Sequence, residues 1–396
     1  MILICLVLAY VLAELCRRVG VPKAVGQITA GLILGAGAWR LDLFSPENGD
    51  ILSFLANLGI ILLFYYVGLE TNFSVFTKNI NRSALISLFN TLIPFALGFS
   101  FMHWWFDADF LVSIIVGVSL SVSAQSISLS LLEEMKLLKS KVGTLIIAAG
   151  AVDDILELVM TTVLLSLFHV AIAKLTLSRF LLDVSLFVLA IVLCRVWFIP
   201  ILLKFFDREK SSTNRFMGSL IILLMIASLS EFLGVGLLIG AMIAGMMIRQ
   251  TVLKDVTIPH WEEHEIARSI HMVAFGFLIP LFFVWTGVAV DLQQVVSQAG
   301  FILIITVIAT VGTVGGTVLA VLLNKGSFRE GLLLGWGLNP KGDIELVIAT
   351  LALHAGLITS VIFTSLVIMS LVTMIISPVV FKLLARKVYH SRKFIG

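Results

Sequence analysis

Asp153 and Asp154 are adjacent acids inside a long apolar run, Leu145 to Val159, and Glu157 follows within one helical turn. If that run spans a bilayer, the carboxyls lie near its middle, where an ionisable side chain is costly and marks function by default. The chemistry open to a carboxyl at that depth is narrow. It can bind a cation, carry a proton, or do both in turn. On a helix the two aspartates stand about 100° apart around the axis and cannot point at one spot. Glu157 is i+4 from the first and i+3 from the second, so it shares their general face. A carboxylate held away from water binds a cation when ionised and gives it up when protonated. Competition of H⁺ and a metal cation for one such group is the minimum machinery of an exchange. One of the three acids can instead neutralise Lys341 or Arg195.

Two further stretches carry polar groups where a lipid-facing helix would not. Ser119 to Ser130 holds six serines and Gln125, and hydroxyls of that density can cover free backbone groups. Asn339-Pro340-Lys341-Gly342-Asp343 combines a residue without N–H, a residue that tolerates unwinding, and two charges. Read as a loop, it would leave apolar segments on either side too short to span. Both stretches therefore read as helices broken inside the membrane, which is tolerated only where the backbone is buried in protein or lines a cavity.

The elements that must position these residues follow from composition. The chain has 396 residues, of which 59% are hydrophobic and 13% charged, with a mean hydropathy of +1.10. That excludes a soluble domain and predicts an all-α polytopic membrane protein. Apolar runs predict about thirteen spans, near 2–17, 21–38, 51–68, 83–105, 110–134, 141–169, 177–203, 214–233, 235–250, 268–290, 299–324, 329–356 and 358–385. Of the 27 Lys and Arg, 22 then fall on one side of the membrane, 3 on the other, and only Arg195 and Lys341 inside spans. The positive-inside rule places the C-terminus in the cytoplasm and the N-terminus outside, in the inner cell membrane. The N-terminus lacks a basic leader and reads as the first span. Cys5, Cys16 and Cys194 lie in apolar runs with no metal spacing. No soluble regulatory domain is expected.

The chain also repeats itself. Gly26–Leu34 resembles Gly240–Ile248, Leu63–Leu69 resembles Leu281–Val288, and Gly117–Ser123 can be laid over Gly335–Lys341, at offsets of 214, 219 and 218. Each match pairs one span with the seventh after it, so the halves, roughly 1–170 and 210–390, have opposite orientations around a linker span near 177–203. Inverted repeats of this kind build secondary transporters, with the site at mid-membrane beside broken helices.

The residues also match a known family. Val21–Gly35 (VPKAVGQITAGLILG), Leu63–Thr71 (LFYYVGLET), Leu238–Gly245 (LIGAMIAG) and Phe277–Gly287 (FLIPLFFVWTG) resemble the monovalent cation:proton antiporter superfamily, in the branch of bacterial Na⁺/H⁺ antiporters and K⁺ efflux systems. The resemblance covers nearly the whole chain. It implies that Asp154 is the principal cation and proton carrier, that Asp153 holds the position that is Asp or Asn in different members, and that Ser123 lies beside the site. It implies a homodimer as well. Lys341-Gly342-Asp343 resembles the family's Arg-Gly-Glu element, with Lys for Arg and Asp for Glu. Where Asp-pair members usually carry a lysine, this chain has Thr313, so the proton count cannot be read from the pair. Gln125 stands in the crossing where small or apolar residues are commoner and can add a side-chain carbonyl.

The expected function is exchange of a monovalent cation, Na⁺ ahead of K⁺, for H⁺ by alternating access, with no cofactor and no enzymatic chemistry. Asp154, Asp153 and Ser123 would bind the ion, and Lys341, Asp343, Glu157, Gln125 and Thr313 would support them. Lys341 is expected to pair with Glu157 or Asp153. A channel-like conductor and a non-transporting ion sensor are the rival readings. Glu70, Asp291 and Glu231 read as interfacial caps. His260, His264 and His271 read as part of a solvated loop, and Arg195 as snorkelling.

Overall fold

The computed structural model describes residues 1–36, 43–70, 80–173, 185–187, 189–194, 196, 212–251 and 265–390, and all regular structure among them is helical. Most of the expected span 177–203, Arg195, His260 and His264 lie outside the described residues. Seven described helices are long and apolar enough to cross a membrane, and Lys23–Ala36, Leu237–Gln250 and Ile344–His354 are shorter apolar helices.

In chain order the helices are α1 (Ile2–Arg18), α2 (Lys23–Ala36), α3 (Pro46–Glu70), α4 (Ile80–Ser100), α5 (Phe110–Ser121), α6 (Gln125–Glu134), α7 (Lys141–Ala173) and α8 (Ser212–Phe232). They continue with α9 (Leu237–Thr251), α10 (Glu265–Val273), α11 (Ile279–Val288), α12 (Leu292–Ser297), α13 (Ala299–Leu323), α14 (Phe328–Leu338), α15 (Ile344–His354) and α16 (Ser360–His390). Single π-helical turns extend α4 through Phe101–Trp105 and join α10 to α11 through Ala274–Leu278. His271 belongs to α10, stacked on Phe275 at 4.7 Å, rather than to a loop. Asp291 and Glu231 do act as local caps. Their carboxylates accept from Gln293 N at 2.9 Å and Leu237 N at 2.7 Å.

The chain forms two compact units. One holds Met1–Leu43, Ser74–Thr161 and Phe283–Gly396; the other holds Phe44–Phe73 and Thr162–Phe282. Each contains one helix crossing made by a pair of glycines. In the first unit a Cβ at Gly31 would stand 2.1 Å from Val284 O, and one at Gly287 would stand 2.2 Å from Ile28 O. In the second a Cβ at Gly68 would stand 2.1 Å from Met242 O, and one at Gly245 would stand 2.1 Å from Tyr65 O. Only glycine permits backbones this close. Gly31 and Gly245 occupy equivalent places in the first repeat match, Gly68 and Gly287 in the second.

In the first unit α4 packs along α13, and α13 along α14 and α16. Below the acids, Ile86, Leu132, Ile146, Ala149, Leu334, Leu338 and Phe381 form a closed apolar cluster drawn from α4, α6, α7, α14 and α16. This cluster fixes the rotation of α4 and α7, and so decides which of their side chains face each other one to two turns further along.

Candidate functional site

Both expected helix breaks are present, and they interlock. The first lies between α5 and α6, with Val122 and Ala124 in extended conformation. The second lies between α14 and α15, at 339–343. A break frees backbone groups that must find partners. Ala124 N donates to Pro340 O at 2.7 Å, across the two breaks. The Lys341 ammonium donates to Val122 O at 3.0 Å. Ser128 Oγ donates to Gly337 O at 2.6 Å, and Ser126 Oγ to Asp343 Oδ2 at 3.1 Å. Two of the six serines that looked too polar for a lipid-facing span, Ser126 and Ser128, thus serve the partner helix, while Ser121 Oγ returns to Val118 O at 2.8 Å.

α7 runs beside this crossing. Glu157 Oε1 accepts from Ser123 N at 2.5 Å and lies 3.0 Å from Ser123 Oγ. The same hydroxyl is 2.5 Å from Asp153 Oδ2. One hydroxyl hydrogen stands between two carboxyl oxygens, so the trio has room for an added proton. Asp153 is fully buried and receives three more donors from α4: Ser87 Oγ at 3.2 Å, Asn90 Nδ2 at 3.0 Å, and Thr91 Oγ1. Ser87, Asn90 and Thr91 are spaced i, i+3, i+4 and share one helix face. Thr317 Oγ1 on α13 donates to Asn90 Oδ1 at 3.4 Å.

Asp154, next in sequence, points elsewhere. It is partly exposed and, among the described residues, accepts no hydrogen bond. Gly150, one turn earlier on nearly the same face, is overlain by Gln125, whose amide atoms would stand 2.0 Å from a Cβ there. The carboxamide of Gln125 is therefore pressed onto α7 one turn from Asp154.

The expected ion pair of Lys341 with Glu157 or Asp153 is not a direct contact. Lys341 is fully buried and donates to a carbonyl. Among the described residues no salt bridge joins it to either acid. Glu345 went unnoticed in the sequence. It is buried, accepts from Ser370 Oγ at 3.1 Å and from Asp343 N at 3.2 Å, and brings a further acid to the second break. Thr313 is buried, and its hydroxyl has no partner among the described residues; Thr317, one turn on, is the α13 residue linked to the site. The Ser87, Asn90, Thr91 triad was also missed. Its signal was a polar stripe at helical spacing in an otherwise apolar span.

Residues 2–387 match the family described as "Sodium/hydrogen exchanger, transmembrane". The chain belongs to the sodium/hydrogen exchanger family. Its relatives include a Na⁺/H⁺ antiporter of Enterococcus hirae, 28% identical over 384 residues and covering 96% of each chain. Another is the Na⁺/H⁺-K⁺ antiporter GerN of Bacillus cereus, 27% identical over 93% of this chain and 91% of that one. The fold resembles that of the sodium proton antiporter MjNhaP1 from Methanocaldococcus jannaschii, with a TM-score of 0.68 at 16% identity over 97% of this chain and 95% of that one. Membership accounts for the all-helical fold, which this exchanger shares with the solved structure.

Proposed function

We propose that this exchanger is a secondary active antiporter that moves a monovalent cation, Na⁺ first and K⁺ second, against H⁺, with the two competing for Asp154. The observation that carries this is the unequal state of the two aspartates beside the crossed breaks. Asp153 has four donors within hydrogen-bond distance, whereas Asp154, among the described residues, accepts no hydrogen bond and is partly exposed. Oxygen ligands suit Na⁺ and K⁺ alike, and Gln125 stands one turn away to supply a carbonyl. Lys341, Asp343, Glu157 and Ser123 hold the two breaks in place around it. The antiporters of Enterococcus hirae and Bacillus cereus, similar over nearly their whole length, support Na⁺ as the first choice and K⁺ as the second. The chain works in the inner membrane with its C-terminus in the cytoplasm, as a homodimer.

The test is reconstitution. In proteoliposomes with an imposed pH gradient, Na⁺ added outside dequenches a pH dye with wild-type protein, K⁺ does so less well, and Asp154→Asn abolishes both responses. Wild-type exchange by Asp154→Asn would sink the assignment. Currents far beyond carrier turnover without proton movement would make the protein a channel, and cation binding without flux would make it a sensor.

A further inference from the structure

We infer that Asp153 does not carry the ion but is a fixed anion, caged by neutral donors in which Asn90 is the positioning residue, so that Asp154 carries the exchanged ion alone. This rests on the antiporter reading and divides the labour within it. An ionised carboxylate offers about four lone-pair sites. Each oxygen of Asp153 has two neighbours within hydrogen-bond distance: Ser87 and Thr91 at Oδ1, Asn90 and Ser123 at Oδ2, the Ser123 hydrogen being shared with Glu157.

The hydroxyls can rotate, so Asn90 is the telling member. Its Nδ2, a donor, faces Asp153 Oδ2 at 3.0 Å, and its Oδ1 accepts from Thr317 Oγ1 at 3.4 Å. An NH₂ group beside a carboxylate repels a cation that would sit there. The cage also answers how a fully buried carboxylate persists with a threonine at 313. Buried charge is tolerated when it is paired or fully hydrogen-bonded, and four neutral donors here do what a single cation would do. Glu157 shares Ser123 with the cage, and the Lys341 ammonium lies across the break, bound to Val122 O. Among the described residues, Asp154 on the same helix has none of this provision.

The experiment exchanges donor and acceptor across one hydrogen bond. The full chain is reconstituted as wild type, Asp153→Asn, Asn90→Asp, the double variant and Asp154→Asn, and dequenching is followed against Na⁺ concentration. Each cage single should lower the maximal rate about tenfold with KM for Na⁺ within about twofold, as for residues that do not touch the ion. The double variant again sets one amide against one carboxylate and should recover to within about threefold of wild type, a non-additive rescue. A double variant that melts like wild type in detergent but stays inactive would overturn the inference. So would an Asn90→Asp protein that binds Na⁺ more tightly, because the pocket would then be a cation site. If the aspartate variants do not fold, Thr317→Val carries the test. Loss of the hydroxyl that orients Asn90 should slow exchange about threefold at constant KM, and an unchanged rate would overturn the proposal. An active Asp154→Asn would instead defeat the antiporter reading itself.

Discussion

Lys341→Met tests whether the crossing is held by its ammonium. Lys341 is fully buried, and its Nζ is the donor to Val122 O, a carbonyl freed by the first break. Methionine keeps the volume and removes both donor and charge. An orphaned buried carbonyl costs about 1–3 kcal/mol. About 1–3 kcal/mol is therefore the expected loss of stability, which at ~2 °C per kcal/mol for a large domain is about 2–6 °C in Tm. The assay is thermal unfolding of purified protein in detergent, followed by dye dequenching in proteoliposomes. Exchange should fall about tenfold if only ~1.4 kcal/mol of the loss bears on the transport cycle. Lys341→Arg keeps the charge and a donor and should lie between wild type and methionine, with overpacking of about 1–3 kcal/mol as its cost. A Lys341→Met protein with unaltered Tm and unaltered exchange would refute the reasoning.

Other outcomes follow from the same geometry. Gly31→Ala and Gly245→Ala each set a Cβ about 2.1 Å from a backbone oxygen and should destabilise by about 1–3 kcal/mol; Gly315→Ala, on the same scale of unfolding in detergent, meets no atom within 4 Å and should gain up to about 1 kcal/mol in helix propensity. Ser123→Ala removes the hydroxyl between Asp153 and Glu157 and should cost about 1.5–3 kcal/mol for a hydrogen bond to a charged group, read as a lower Tm. Glu330→Gln breaks the pairs with Arg82 at 3.1 Å and Lys141 at 3.2 Å. It should cost under about 1 kcal/mol, and melting at low and high salt should show the wild-type advantage shrinking as salt rises.

The breaks were legible because their chemistry is local. Proline and glycine at 340 and 342, and a serine run at 119–130, contradict a continuous lipid-facing helix on their own. The aspartate pair was legible because charge in an apolar run needs no partner to be conspicuous. What stayed hidden depends on rotation between helices. Ser87, Asn90 and Thr91 pass for ordinary span residues, since serine and threonine hydroxyls commonly return to their own helix backbone. Only the packing of α4 on α13, through Gly312 against Pro94 and Gly316 against Phe89, turns them toward Asp153. Lys341 was assigned an acid for a partner because acids were visible in the sequence, while the carbonyl it meets becomes available only once the first helix has opened. On α13 the residue hydrogen-bonded to Asn90 is Thr317, one turn beyond Thr313. Glu345 escaped notice because the element beside it ended, by resemblance, at Asp343.

The bond from Ala124 N to Pro340 O joins the two ends of a long synthesis. A ribosome that has just delivered the first break to the membrane must add some 216 further residues before the second arrives, about 10–40 s at ordinary elongation rates. Throughout that interval the N–H of Ala124 and the carbonyl of Val122 lack their final partners. The nascent first half is thus a client in waiting, exposed to insertion machinery and membrane proteases until its other half is made.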